Sequence, residues 1–320
     1  MILLLTNKDD ITIDFVVREL QNRGCSYYRL NTEDIPEIVR VSFSINEDSY
    51  IIYDTVKRQY INLNDVSAVY FRRPKISDLS HISEISPQEK RYLQSELASL
   101  LEGIYKTLRH AFWINDIYRI REAENKIYQL QLAKQIGFEI PQSMISNSVS
   151  PLQEILQKSN GNCIIKPIRS GNMGYPDGRQ VIFTSQFNES VLDWEDRINA
   201  FPSYLQENLN KAYDIRCTVI GDNVFAAAIS SQNNPDSCID WRRSKKPLPH
   251  KKIELPQDIQ DKAIEITHTL GLTYSAIDLI MSKQEEFTFL ECNPNGQWAW
   301  IENRLGYPIS EKIVSLLQNV

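Results

Sequence analysis

Two short runs near the C-terminus are dominated by apolar and other strand-forming residues, and a polar run separates them. Ala276 to Met281 and Phe287 to Asn293 predict two strands, and Ser282 to Glu286 the turn of a hairpin. If Ser282 pairs with Phe287, the antiparallel register sets Asp278 across from Glu291. The two-residue repeat of a strand then puts Asn293 on the same face. Two opposed carboxylates repel, so a cation is expected over them. Three hard oxygen donors on one face suit magnesium, which keeps some waters and takes further ligands from substrate phosphates. The alternative is a solvated hairpin whose acids happen to align. Its apolar flanks and the Asn-Pro-Asn-Gly run at 293–296 weigh against that.

Patterning elsewhere predicts alternating strands and helices. Ile2 to Leu5 reads as a strand and Ile13 to Asn22 as a helix stopped by Gly24. Cys25 to Leu30 returns as a strand, making a βαβ opening. A further strand, Ala68 to Phe71, ends in Arg72, Arg73 and Pro74, two cations where a sheet edge meets a loop. Ser86, Pro87 and Glu89 form a capping box with proline at the first helical position. Leu93, Leu97, Leu100, Ile104 and Leu108 then continue along one helical face. The first domain is expected to end near Trp113 to Asp116, and a second helix, Glu122 to Gln135, to close at Gly137 and Pro141.

The middle of the chain carries candidate phosphate chemistry. Cys163 to Ile165 predicts a buried strand that aims Lys166. The loop Ser170, Gly171, Asn172, Met173, Gly174 would let backbone N–H groups approach phosphate oxygens. The GKS or GKT ending of a P-loop is missing, and an ordinary surface turn explains the loop equally well. Tyr204 to Leu209 leads to Lys211 and Asp214. Ile215 to Ile220 and Val224 to Ser230, joined at Gly221 and Asp222, read as a second hairpin with Arg216 and Thr218 on one face. An arginine so held is a salt-bridge partner or a phosphate ligand.

Composition narrows the function classes. A chain of 320 residues with 42% hydrophobic residues buries a full core, in roughly two or three lobes. The net charge of −6 argues against a general nucleic-acid binder. Five cysteines without CxxC spacing predict free thiols in a reducing cytosol. No apolar run approaches the roughly 18 residues of a membrane span. The opening MILLL is too short for a signal peptide, so a cytoplasmic protein is expected.

The order of these elements resembles the ATP-grasp superfamily from about Asn115 to the C-terminus. Lys126 and Lys166 are followed by the glycine loop, Gln206 to Leu209, Asp214 with Arg216, and then Asp278, Glu291 and Asn293. Four strings are similar to the graspetide synthetases, the microviridin-type peptide macrocyclases: YFRRP (70 to 74), NKIYQLQLAKQIGFEIPQSMISN (125 to 147), IDWR (239 to 242) and FLECNPNGQWAWIE (289 to 302). Cys292 stands where that pattern has isoleucine or leucine, on the face away from the acids.

The resemblance implies an α/β (α+β) ATP-grasp fold. It has an N-terminal pre-ATP-grasp domain over residues 1–115, a central lobe over 116–205 and a C-terminal lobe over 206–320. ATP would lie clamped between the two lobes. Lys126 and Lys166 would neutralise its phosphates, with Gly171, Met173 and Gly174 covering them. Gln206, Glu207 and Leu209 would line the adenine hinge, with Lys211 or Asp214 near the ribose. Asp278, Glu291 and Asn293 would hold Mg2+. Arg216 and Arg242 would stabilise charge on the transferring phosphoryl group. Arg72 and Arg73 would bind a carboxylate of the acidic precursor peptide. The basic segment Arg242, Arg243, Lys245, Lys246, Lys251, Lys252, read as a loop, is either a second docking surface or merely solvated. Gln297, Trp298 and Trp300 read as scaffold. The implied reaction is ATP-dependent macrocyclisation through an acyl phosphate, forming esters to Thr or Ser hydroxyls. Alternatives are lactam formation with Lys, a RimK-like carboxylate–amine ligase, or an ATP-binding module without catalysis. The implied partners are a precursor peptide and a second copy in a homodimer.

Overall fold

Ile2–Thr6 is buried at all five positions and forms β1, one of the two inner strands of a parallel sheet. In this computed structural model, which describes residues 1–80, 82–169, 171 and 181–320, β1 pairs in parallel with β2 (Tyr27–Asn31). The helix Thr12–Asn22 links the two, as the apolar pattern predicts. Three antiparallel strands follow as a meander, β3 (Val39–Ser44), β4 (Ser49–Asp54) and β5 (Gln59–Asn62). β6 (Ala68–Phe71) then pairs with the other side of β1, and β7 (Phe112–Ile114) adds beyond it, giving the order β2-β1-β6-β7. Leu3, Leu5, Val69 and Phe71 of this sheet share one core with Ile52 of the meander and with Ile104 and Tyr105 of the helix Pro87–Thr107.

That helix opens with the expected capping box. Ser86 Oγ accepts from the Glu89 N–H at 3.2 Å, and Glu89 Oε2 accepts from the Ser86 N–H at 2.8 Å. Each bond satisfies an N–H that the helix itself leaves unpaired, and such a cap contributes about 1 kcal/mol.

The chain divides into two compact units. The first holds residues 1–120, 272–274 and 295–320, the second 121–271 and 275–294. Side-chain hydrogen bonds tie the late segments to the early ones in the first unit. Asn115 Oδ1 accepts from the backbone N–H groups of Thr273 and Tyr274 at 2.8 and 2.9 Å. Arg23 donates to Ser315 Oγ and Gln318 Oε1 of the C-terminal helix Ile309–Gln318. Trp298 is fully buried and donates to Tyr70 Oη at 3.1 Å, a scaffold position.

The second unit carries two sheets. β8 (Ser143–Ser146), β9 (Cys163–Lys166), β10 (Ser185–Gln186) and β11 (Ser203–Glu207) form an antiparallel sheet in the order β10-β9-β11-β8. The helix Val149–Lys158 backs it with Leu152, Ile155 and Leu156. β12 (Tyr213–Ile220), β13 (Asn223–Ile229), β14 (His250–Ile253), β15 (Tyr274–Met281) and β16 (Phe287–Asn293) form the other, in the order β14-β13-β12-β15-β16. Lys251 and Lys252 therefore lie on a strand, where the basic segment was expected to be a loop.

Two boundaries differ from expectation. The helix expected from Glu122 is two helices, Ile117–Ala123 and Lys126–Ile136. Asn125 takes an extended backbone, and its side chain accepts from the Tyr128 N–H at 3.1 Å, so it caps the second helix and breaks the first. The final hairpin closes on Met281 opposite Phe287, one residue short of the expected Ser282 pairing. Past Leu279–Phe289 a β-bulge leaves Leu290 unpaired, and the pairing resumes with Asp278 opposite Glu291. The mouth of the hairpin is thus shifted by one, and the bulge restores the register at the acids.

Among the described residues no helix is long and apolar enough to cross a membrane. All five cysteines are free thiols.

Candidate functional site

A cavity of about 710 Å³ opens within the second unit, and both of its sheets contribute walls. The β-bulge sets Asp278 and Glu291 side by side on one wall, each less than one-fifth exposed. Each acid meets its own cation. Lys126 Nζ lies 2.9 Å from Glu291 Oε2, and Arg216 Nε lies 3.0 Å from Asp278 Oδ1.

These partners drive the two acids apart in charge. Burial pushes Asp278 up to about 6, against the pull of Arg216 and with repulsion from Glu291 adding to the rise. Burial works on Glu291 as well, but Lys126 and Lys166 outweigh it and hold that carboxyl well below the usual carboxylate range. Asn293 follows Glu291 by two strand positions and lines the same cavity, half-buried. No group of three His, Cys, Asp or Glu side chains poised for a metal occurs among the described residues. Two carboxylates and an amide oxygen leave a divalent ion dependent on further oxygens from water or phosphate, the donor set magnesium accepts.

Lys166 ends β9 and reaches into the cavity, donating to Gln206 Oε1 at 3.1 Å. Desolvation lowers it to about 8, with Lys126 adding to the fall and Glu291 opposing it. The Gln206 carboxamide is buried and donates to Ser143 Oγ and Tyr204 Oη, both at 2.9 Å, so it braces the wall behind Lys166. Glu207 and Leu209 line the cavity half-buried. Lys211 bonds Asp214 Oδ1 at 2.7 Å and the Ile239 carbonyl at 3.3 Å.

β12 presents three buried side chains at alternate positions, Asp214, Arg216 and Thr218. Asp214 Oδ2, Thr218 Oγ1 and both Nε and Nη1 of Arg216 lack a hydrogen-bond partner. The 3.0 Å approach of Arg216 to Asp278 is an ion pair by distance without the alignment of a hydrogen bond. Buried donors in folded proteins are nearly always satisfied, so unmet guanidinium N–H groups fit an anion that brings its own oxygens. The guanidinium also faces the Trp241 ring at 5.8 Å. Arg242, half-exposed at the cavity, is gripped by both oxygens of Asp240 at 2.8 and 2.7 Å.

Gly171 lines the cavity and accepts from the Ile182 N–H at 2.7 Å. A Cβ at this position would lie 1.9 Å from the Ile182 carbonyl oxygen, so only glycine fits. Met173 and Gly174 lie outside the described residues.

Arg72 requires a correction. It belongs to the first unit and is 1% exposed. Its guanidinium donates to Asp10 Oδ2 at 3.1 Å, to the Asn295 and Gly296 carbonyls at 3.2 and 2.9 Å, and to Gln297 Oε1 at 3.1 Å. With its donors engaged, Arg72 clamps the 295–297 segment and offers no fork to an incoming carboxylate. Arg73, exposed, reaches the Asn295 carbonyl at 3.3 Å.

Sequence reasoning missed Tyr204, Asp240, Trp241 and Gln129 at this site. Asp240 and Trp241 lie in the IDWR string, which offered a signal. Gln129 lies in the string at 125 to 147, but nothing there distinguishes it from the neighbouring glutamines.

Residues 1–121 match the MvdD pre-ATP grasp domain, and residues 123–317 match the RimK-like ATP-grasp domain. The chain is similar to the macrocyclase MdnC from Microcystis aeruginosa, solved bound with precursor peptide MdnA. The identity is 28% with a TM-score of 0.86, covering 100% of this chain and 99% of that one. A RiPP-associated ATP-grasp ligase from Chryseobacterium gregarium, solved with ADP and a leader and core peptide, is 27% identical with a TM-score of 0.89, covering 99% and 96%. A probable alpha-L-glutamate ligase from Histophilus somni (strain 2336) is 29% identical over 210 residues, 64% of this chain and 67% of the relative. With the RimK-like model spanning well over half of the chain and the MvdD model most of the remainder, the chain belongs to the RimK-like ATP-grasp ligase family.

Proposed function

We propose that the protein is an ATP-dependent peptide macrocyclase. It activates Asp or Glu side chains of a ribosomally made precursor peptide and joins them to Thr or Ser hydroxyls of the same peptide. The observation that carries this reading is one cavity lined by two opposed acids and two lysines, with a buried arginine that lacks hydrogen-bond acceptors ion-paired to one of those acids.

The chemistry follows from those groups. A peptide carboxylate oxygen bonds to the γ-phosphorus of ATP and ADP leaves, giving an acyl phosphate. A hydroxyl oxygen of the same peptide then bonds to the acyl carbon, phosphate leaves and the hydroxyl proton is lost. Lys126 and Lys166 place positive charge beside the phosphates, and the Gly171 backbone permits close approach. Arg216 and Arg242 oppose the negative charge that gathers on the transferring phosphoryl group. Asp278, Glu291 and Asn293 would hold magnesium, which supplies neutralisation of phosphate charge when bound. A neutral hydroxyl is a weak nucleophile and competes with water. Holding it against the acyl carbon answers both, since effective molarities of well-oriented groups reach the order of 10⁵ M or more. The reading includes a homodimer in the cytoplasm.

Incubation with ATP, magnesium and a candidate precursor peptide, followed by mass spectrometry, tests the proposal. The expected result is loss of about one water mass per ring formed, with mild base hydrolysis restoring the mass. A base-stable loss means amides through Lys. The similarity to glutamate ligases favours one second reading, ligation of a separate amine. ADP release on adding free amino acids, with the peptide unchanged, would replace the macrocyclase by that ligase.

Lys166 sets a pH dependence for nucleotide binding. Held near 8 by burial, its ammonium is largely deprotonated at pH 9, and bound phosphate raises its proton affinity. Binding at pH 9 should therefore take up protons, and affinity should fall as pH rises through 8 to 10. Calorimetry in two buffers of different ionisation enthalpy measures this. Absence of uptake removes Lys166 from the phosphates.

A further inference from the structure

β16 is an edge strand of its sheet, and beyond an isolated parallel bridge of Thr288 to Glu139 no strand among the described residues pairs with its outer side. At Cys292, between Glu291 and Asn293, a side chain takes that place. Gln129 Oε1 accepts from the Cys292 N–H at 2.9 Å, and Gln129 Nε2 donates to the Cys292 carbonyl at 2.6 Å. The amide orientation follows from the partners, because a backbone N–H only donates and a carbonyl only accepts. Nε2 gives its other hydrogen to the Ala123 carbonyl at 2.5 Å. The side chain is 2% exposed. Gln129 thus makes both contacts that a paired strand residue would make.

Its place on the helix Lys126–Ile136 matters. Residues three apart share a helical face, so the face that sends Lys126 to the Glu291 carboxylate also sends Gln129 to the next residue's backbone. Further along the strand, past the unpaired Leu290, the Phe289 N–H donates to the Glu139 carbonyl at 2.8 Å. The edge is therefore held on either side of the bulge that sets the acids in register.

We propose that Gln129 is the positioning residue of the candidate metal site, fixing the peptide groups around Cys292 so that Glu291 and Asn293 present their oxygens together. This rests on the nucleotide and metal reading above. Loss of a group that hydrogen-bonds a metal ligand typically weakens metal affinity about 10- to 100-fold, and Gln129 acts one step further out, through the backbone between two candidate ligands.

The test uses Gln129→Met, which keeps length and removes every hydrogen bond. A second variant, Gln129→Glu, keeps an acceptor for the Cys292 N–H but loses the donor to its carbonyl. In ligand-free protein, hydrogen exchange at the Cys292 amide should quicken in Q129M. By calorimetry, magnesium–ADP affinity should fall about tenfold or more, while affinity for ADP in excess chelator stays as in the unsubstituted protein. If Q129M does not fold, Q129E decides by the same split. Unchanged magnesium–ADP affinity, or an equal loss with and without magnesium, overturns the positioning role. Failure of the unsubstituted protein to bind magnesium–ADP overturns the functional reading itself, an outcome distinct from either.

Discussion

Glu291→Gln should lower peptide-dependent ADP release by on the order of 10³-fold, the loss of several kcal/mol of charge stabilisation at a metal site. The substitution preserves volume and removes one negative charge from the wall that faces the phosphates. It should leave the fold intact, because two effects of opposite sign accompany it. Lys126 loses its 2.9 Å partner, and Asp278 on β15 loses the like charge opposite it on β16. The melting temperature without ligand should therefore move by no more than a few degrees, whereas the rise produced by magnesium–ADP should largely vanish. Near-normal ADP release at ordinary magnesium levels would remove Glu291 from the metal set.

The hairpin carrying Glu291 was legible in sequence because strand-forming runs and a polar turn are local signals. Its register was legible at the acids and misread at the mouth. Leu290, the extra residue of the bulge, has no compositional mark that separates it from its neighbours, since a bulge answers to the bend of the whole strand. The βαβ opening and the capping box at Ser86 were legible for the same local reason. Arg72 was misread because its partners, Asp10 and the segment Asn295 to Gln297, are remote in sequence. A strand-end arginine looks solvent-facing until that segment is laid over it. Gln129 sits in a run of glutamines within QLQLAKQ, where helical periodicity says which face is buried and nothing says which amide will read a backbone. Asn125 was read as part of a longer helix, since an asparagine only becomes a cap when the backbone before it leaves the helical region. Lys166 was readable as a strand-end cation. The reason glycine is required at 171, the Ile182 carbonyl, is eleven positions away in sequence and leaves no local mark.

Arg216→Lys should cost about 10²–10³-fold in turnover while preserving the fold and leaving nucleotide affinity nearly unchanged. A lysine keeps the charge beside Asp278 but loses the planar fork, and a single ammonium does not replace two directed N–H groups. In the present structure the Arg216 Nε and Nη1 have no hydrogen-bond acceptor despite burial, although Asp278 lies 3.0 Å from Nε. A guanidinium evolved only as a structural partner would be expected to align with that carboxylate, as Arg242 aligns with Asp240. Misalignment leaves the N–H groups for an acceptor that arrives with substrate, and one that gains charge during reaction gains most from them. The cost should therefore fall on kcat rather than on KM for ATP. Asp278 limits the effect on stability, because a carboxyl already pushed up to about 6 can take a proton where a fully ionised acid would be stranded. A large rise in KM for ATP with kcat intact would move Arg216 from the transferring phosphoryl group to ground-state binding. Unchanged kinetics would make it a brace for Asp278 alone.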